Sequence, residues 1–234
     1  MAKWLNGSCL KNDVVISSRI RLARNLEDVR FPQDMTMEES KEVTDEILDV
    51  VKGWESDKYE FHKIGDLSSL ERRVLIEEHL ISPSLIESPD KSSFLLRNDE
   101  KVTIMINEED HLRVQILSYG LNLENDWNEL NQIDDMLEAK LNYAFSGKFG
   151  YLTACPTNVG TGIRASVMIH LPCLVLTGYI NNMLQAVNQI GLTTRGLYGE
   201  GTEALGNVFQ ISNQVTLGET EEEIIQKEKQ SSLD

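Results

Sequence analysis

KVTIMINEEDHLRVQIL (Lys101–Leu117) contains two strand-like runs, Lys101–Ile106 and Leu112–Leu117, divided by the polar, turn-forming link Asn107-Glu108-Glu109-Asp110-His111. A strand pair with carboxylates at its tip is the simplest reading. Upstream, Val14–Ala23 alternates: Val14, Ile16, Ser18, Ile20 and Leu22 fall on one face and Val15, Ser17, Arg19, Arg21 and Ala23 on the other. Arg19 and Arg21 therefore point the same way, roughly 7 Å apart by strand rise. Thr36 with Glu39, and Ser68 with Glu71, make capping boxes ahead of apolar runs and predict two helices. A third is predicted where Leu123, Trp127, Leu130, Ile133, Leu137 and Leu141 recur at helical spacing. A further apolar segment opens at Gly160-Thr161-Gly162, breaks at Pro172 and resumes to about Ile190, and Phe209–Leu217 alternates as a late strand. Strands and helices mix without a βαβ rhythm, which predicts an α+β domain with a largely antiparallel sheet.

The 234 residues, 41% of them hydrophobic, suffice for a buried core. Lys and Arg number 22 against 38 Asp and Glu, a net charge of −16 that argues against nucleic acid or an anionic membrane as a general partner. Three cysteines (Cys9, Cys155, Cys173) without a CxxC pair suggest neither a disulfide framework nor a zinc site, and point to a reducing cytoplasm. No apolar run is long enough for a secretory leader or a membrane span. Charge is unevenly spread. The first 24 residues are basic, whereas Tyr151–Gly218 contains only Arg164, Arg195, Glu200 and Glu203 as charged groups. Isolated charges in so apolar a stretch are site candidates, because burying a charge is costly unless it is paired or used. The last 16 residues turn acidic and read as a solvated helix start or tail.

Four groups of residues could do chemistry. Arg19, Arg21, Arg113, Arg164 and Arg195 could grip a polyphosphate through bidentate guanidinium forks, or form five separate salt bridges. The 107–111 turn could hold a cation, orient a basic substrate or act as general base, or be merely a solvated charged turn. Gly150–Ala165 (GYLTACPTNVGTGIRA) has the glycine content of a phosphate cradle leading into a helix N-terminus, but lacks the endings of the known phosphate loops. Within it Cys155 is a small buried hydrophobe or, beside a guanidinium or phosphate, a functional thiolate. Arg195–Gly201 (RGLYGEG) is either a loop able to close over a site or simply a set of turns.

ISSRIRLARN (Ile16–Asn25), NEEDHLR (Asn107–Arg113), CPTNVGTGIRASV (Cys155–Val167), RGLYGE (Arg195–Glu200) and ISN (Ile211–Asn213) together resemble the phosphagen (guanidino) kinase family in words, order and spacing. EHLISP (Glu78–Pro83) and RASVMIHLP (Arg164–Pro172) resemble its bacterial protein-arginine kinase branch. The resemblance implies a catalytic domain over residues 1–218, with an antiparallel sheet flanked by helices like that of glutamine synthetase. Residues 219–234 would be an acidic tail or the start of a C-terminal helical domain. It also implies ATP and Mg²⁺ as cofactors. The ATP contacts would be Ser17, Ser18, Arg19, Ile20, Arg21, His79, Arg113, Arg164, Ala165, Ser166, Val167, Met168, Arg195 and Gly196–Glu200, including Leu197, Tyr198 and Gly199. Glu109 would be the catalytic carboxylate, Glu200 the second guanidinium-binding carboxylate and Cys155 the thiolate beside the reacting nitrogen. Arg113, Arg164 and Arg195 would serve catalysis as well, and Glu108 would lie near the magnesium and its waters.

The activity so implied is transfer of the ATP γ-phosphate to arginine side chains of proteins, marking them in a stress response. Alternatives within the same reading are a kinase for free arginine or another small guanidine, and a non-catalytic regulator that binds ATP or phosphoarginine. Partners implied are proteins with exposed arginine, a zinc-containing activator and a Clp-type unfoldase. Only about a dozen residues precede the ISSRIR strand, and the chain ends without an R-D-x-x-R-A motif. The expectation is an open site on a fragment or a shortened member.

Overall fold

The strand read over residues 14–23 is β1 (Val15–Arg24), and it lies at the centre of the molecule. The computed structural model describes residues 2–5, 14–54, 58–195 and 205–232. In it β1 runs antiparallel to both β5 (Leu112–Tyr119) and β8 (Ile163–His170). The sheet extends through β4 (Val102–Ile106), β3 (Ser93–Arg97) and β2 (Tyr59–Lys63) on one side, and through β10 (Val208–Asn213) and β9 (Leu192–Arg195) on the other. Every neighbouring pair is antiparallel, so the expected α+β class holds. The pair β4–β5 is the hairpin read in KVTIMINEEDHLRVQIL. A small separate pair, β6 (Phe145–Ser146) with β7 (Gly150–Tyr151), precedes β8.

Alternation along the central strands divides the sheet into two unlike faces. On one, Ile20, Leu22, Ile104, Val114, Ile116, Ile163 and Val167 are fully buried. They lie in one core with side chains of α1 (Met37–Lys52), α3 (Leu123–Glu138) and α6 (Glu221–Ser231). Both predicted capping boxes are formed: Thr36 with Glu39 starts α1, and Ser68 with Glu71 starts α2 (Ser69–Glu77). Pro172 opens α4 (Pro172–Leu176), which is followed by α5 (Ile180–Gln189). No helix among the described residues is long and apolar enough to cross a membrane.

Arg24, at the end of β1, belongs to the apolar face. It is held by Asp134 of α3 through Nε and Nη2 (3.1 and 2.7 Å), donates to the carbonyls of Ala23 and Thr161, and stacks 3.5 Å from the Tyr151 ring. So complete a set of partners is what a buried charge requires, and removal of Asp134 would leave the guanidinium stranded. The basic N-terminal stretch thus contains arginines of two kinds, and this one serves the fold.

The acidic segment expected to be solvated is corrected in one respect. A third capping box, Thr220 with Glu223, starts α6, and the helix docks Ile224, Ile225 and Glu228 against the domain. Glu228 is 0% exposed and neither of its carboxylate oxygens has a hydrogen-bond partner. Burial pushes its pKa up to about 8, against about 4.3 for a solvated glutamate. The folded state therefore binds this proton more tightly than the unfolded chain. Its contribution to stability is complete below about pH 4 and falls away as the pH rises to about 8. Glu228→Gln, which stays neutral, should match the parent in acid and exceed it increasingly up to about pH 8, by a few kcal/mol at about 1.4 kcal/mol per pH unit. Thermal unfolding of both proteins between pH 5 and 9 measures this; a constant difference would refute it.

Candidate active site

The other face of β1 presents Ser17, Arg19, Arg21 and Ala23. Arg21 lies opposite Gln115 and Arg164, Arg19 opposite Leu117 and Ser166, and Ala23 opposite Arg113. Residues in direct register share a face, so three adjacent strands deliver Arg19, Arg21, Arg113 and Arg164 to one side of the sheet. The expectation that Arg19 and Arg21 point the same way is met.

These arginines are unequally compensated. Arg113 donates from Nη1 to both oxygens of Glu108 (2.5 and 2.7 Å). Burial works against its charge, but the Glu108 carboxylate outweighs this and raises its pKa. For Glu108 burial is likewise overcome, mainly by Arg113, and its pKa is lowered. Arg19 and Arg21 have no carboxylate partner among the described residues. Burial, then Arg113, brings Arg19 down to about 10. Arg21 is driven well below its usual value by burial, then by Arg19, Arg113 and Arg164, and its Nε is buried with no partner. Arg164 reaches the carbonyl of Asn213 and Oδ1 of Asn158, both at 3.3 Å. The alternative of separate salt bridges therefore does not hold for Arg19 and Arg21 among the described residues. A block of guanidinium groups repels itself, and its orphaned Nε is the donor a phosphate oxygen would satisfy.

The 107–111 turn is not solvated either: Asn107, Glu108, Asp110 and His111 are buried. Asn107 adopts a positive φ of 56° and donates from Nδ2 to Ser40 O (2.9 Å), Thr44 Oγ1 and Lys91 O (both 3.2 Å). Glu108 also accepts from Ser82. Asp110 accepts from Asn25 Nδ2 and the Ala154 N–H (2.6 and 2.7 Å). His111 Nδ1 accepts from the Leu26 N–H (2.9 Å), which leaves Nε2 to donate to Arg30 O (2.8 Å). Glu109 alone is half-exposed, and it faces a cleft of about 170 Å³ that it shares with Arg21, Arg113, Cys155, Asn158 and Arg164. Burial raises the Glu109 pKa, and the neighbouring Asp110 and Glu108 add to the effect, which makes it a better proton acceptor. Cys155 Sγ lies 3.0 Å from Thr157 Oγ1.

A second recess adjoins the first, lined by Ser17, Arg19, His79, Ser166, Met168 and Gln210. Gln210 accepts from Arg19 Nη2 at 3.3 Å. The His79 pKa is lowered by burial and by Arg19, which favours the neutral ring.

Several expected contacts lie elsewhere. Ser18 donates to Asp126 of α3, and Ile20, Ala165 and Val167 are in the core on the opposite face, so their side chains are not near the arginines. Gly160 and Gly162 do not open a helix: β8 follows them. A Cβ on Gly160 would sit 2.1 Å from Thr216 O, and one on Gly162 2.6 Å from Ala23 O. These glycines allow backbones to approach where β8 enters the sheet. Arg195 lies in register with Gln210; its side chain, Gly196–Glu200 and Cys9 fall outside the described residues. Asn158 and Gln210 are site residues that the sequence reading did not single out, although Asn158 stands within the quoted CPTN stretch.

Residues 40–231 match the family described as ATP:guanido phosphotransferase, C-terminal catalytic domain, and the chain belongs to that family. It is 52% identical over 225 residues to the protein-arginine kinase of Halothermothrix orenii, covering 96% of this chain and 64% of that one. It is 49% identical to the protein-arginine kinase of Bacillus subtilis, covering 97% and 63%. The chain thus spans less than two thirds of the length of these relatives. Among solved structures it resembles the duplicated taurocyamine kinase of Schistosoma mansoni with bound transition-state analogue components (TM-score 0.86, 25% identity, 96% of this chain and 33% of that one). It also resembles lombricine kinase (TM-score 0.83, 27% identity, 98% and 67%).

The uncompensated charge yields a test. Arg21→Met should raise the thermal midpoint of the ligand-free protein by relieving repulsion, and should weaken binding of ATP or tripolyphosphate by tenfold or more, since charged hydrogen bonds are worth about 1.5–3 kcal/mol each. Calorimetry of both proteins with and without tripolyphosphate checks it; an Arg21→Met protein that is less stable and still binds would refute it.

Proposed function

We propose that the protein transfers the γ-phosphoryl group of ATP to the guanidinium of an arginine side chain in a protein, giving phosphoarginine and ADP. The observation that carries the reading is Glu109: on a turn whose two other carboxylates, Glu108 and Asp110, are engaged, it is the one of the three that faces a cleft lined by guanidinium groups. Similarity of about 50% to protein-arginine kinases, against 25–27% to taurocyamine and lombricine kinases, favours a protein substrate over a small guanidine.

Arg19, Arg21, Arg113 and Arg164 bind the phosphate chain and neutralise charge on the moving phosphoryl. His79, Met168 and Gln210 border a small recess beside Arg19, and on family resemblance the rest of the nucleotide is assigned to this side of the sheet. A guanidinium is protonated far above neutral pH and nucleophilic only once a proton is lost. Glu109 orients it and accepts that proton as the N–P bond forms and the bond from the γ-phosphorus to the bridging oxygen of ADP breaks. Cys155 stands across the cleft beside the reacting nitrogen. Arg195, Glu200 and Gly196–Gly199 are assigned to the site on sequence resemblance, with Glu200 as second guanidinium carboxylate.

The described residues include no cluster of three or more metal-ligating side chains, and Glu108 is occupied by Arg113 and Ser82. The proposed Mg²⁺ is therefore taken to arrive on the phosphate oxygens of the nucleotide, and no step is assigned to it. On family resemblance we place the protein in the cytoplasm with a zinc-containing activator, and with a Clp-type unfoldase that receives the marked proteins.

Glu109→Gln should lower phosphoarginine formation by about 10²–10⁴ while sparing ADP binding. In the parent, kcat/KM should fall in acid with a midpoint above the about 4.3 of an ordinary glutamate, because the Glu109 pKa is raised. Mass spectrometry that preserves the N–P bond, on an unfolded arginine-rich protein and on free arginine in parallel, measures both. Normal activity in the variant would overturn the assignment, and transfer to free arginine alone would overturn the protein substrate.

A further inference from the structure

Asp110 has no part in the reaction described above, yet it is 2% exposed and joins three segments far apart in the chain. Its Oδ1 accepts from Asn25 Nδ2 at 2.6 Å and from the Ala154 N–H at 2.7 Å. Asn25 follows β1 directly, donates from the same Nδ2 to Leu152 O (3.0 Å), and accepts on Oδ1 from the His111 N–H (2.9 Å). One carboxylate oxygen and one amide therefore tie the residue after Glu109 to the residue before Cys155, with the end of the arginine-bearing strand between them.

We infer that Asp110 is a positioning residue: through Asn25 and the Ala154 N–H it sets the separation of Glu109 from Cys155, and so the width of the slot that receives the guanidinium. Glu109 and Cys155 line the same cleft from different segments, the hairpin turn and the loop ahead of β8. The hairpin ladder anchors the turn to the sheet, where Ile106 pairs with Leu112. The loop that carries Cys155 leaves its short β6–β7 ladder at Tyr151 and is then tied at separate points. Leu152 N–H donates to Ala144 O and Leu152 O accepts from Asn25 Nδ2, Ala154 N–H donates to Asp110, and beyond Cys155 the Thr216 hydroxyl donates to Thr157 O and Val159 O. The tie adjacent to Cys155 on its N-terminal side is the one to Asp110. A carboxylate suits the position because a single oxygen with more than one lone pair takes both donors at short, charge-assisted distances. Burial excludes water from replacing it. Misplacement of a reacting group by about 1 Å costs on the order of 100-fold in rate, so the link acts on catalysis without touching substrate.

This rests on the reading of Glu109 as the group that meets the guanidinium, and the experiment separates the two. Asp110→Ala should lower kcat about 100-fold and raise KM for the arginine substrate, while still binding one ADP per chain with parental affinity. That split distinguishes a widened slot from a loss of folded protein. Alkylation of Cys155 by iodoacetamide should quicken, with Cys173 unchanged as the internal standard. Asp110→Asn keeps an Oδ1 acceptor for both donors and should restore most of the activity and the slow Cys155 reaction. If Asp110→Ala does not fold, Asn25→Ser removes the other half of the link and should quicken Cys155 alkylation too. Parental kcat and Cys155 reactivity in Asp110→Ala, or Asp110→Asn as impaired as Asp110→Ala, overturns the inference. Absence of phosphoarginine from the parent protein would overturn the proposed activity instead, and the alkylation rates would still decide the role of Asp110.

Discussion

Two half-buried guanidinium groups, Arg19 and Arg21, sit on one strand with no carboxylate partner among the described residues, while the strands on either side add Arg113 and Arg164 to the same face. In a medium of reduced dielectric this repulsion opposes folding, so the rest of the domain must compensate for it. Compensation comes from the reverse of the same sheet, where the central strands are largely apolar, their few polar groups are paired with α3, and helices cover them. It comes also from Glu108, which neutralises Arg113 and leaves its neighbours charged. The domain keeps a surplus of positive charge at one place in a chain of net charge −16, and an anion placed there removes a strain as well as forming bonds.

The hairpin turn between β4 and β5 shows how the opposite charge is rationed. Of its three carboxylates, one is spent on an arginine, one on an asparagine and a backbone amide, and one is left for the cleft. The two engaged groups also repel a proton's departure from the third, since their charges hold the Glu109 pKa up after burial has raised it. Structure and reactivity are set here by the same short run of residues, two of whose three adjacent acids are buried with partners while the third stays half-exposed.

What was legible in the sequence was local. The alternation of residues 17–23, the Thr36 and Ser68 capping boxes and the 101–117 hairpin all depend on neighbours a few residues away, and all appear in the structure. The alternation expected over residues 14–16 does not, because an irregularity between Val15 and Ser17 puts Val15 rather than Val14 in the core with Ile20 and Leu22. β2 and β3, five residues each and lacking clean alternation, went unread. Gly160 and Gly162 suggested an anion cradle because their partners, Thr216 and Ala23, are distant in sequence. Ser18, Ile20, Ala165 and Val167 were grouped with the arginines between which they stand, although the alternation that gathers Arg19 and Arg21 sends them to the far face. The link from Asp110 to Asn25 spans 85 residues, and no local pattern announces it.

The position of β1 and β8 has a consequence for partial unfolding. Each is hydrogen-bonded on both sides, and between them they hold Arg19, Arg21 and Arg164. Strands so placed are usually among the last to open, while edge strands such as β2 fray first. The arginine-bearing surface is therefore expected to belong to the slowest-exchanging unit of the domain and to outlast excursions that loosen the sheet's margins.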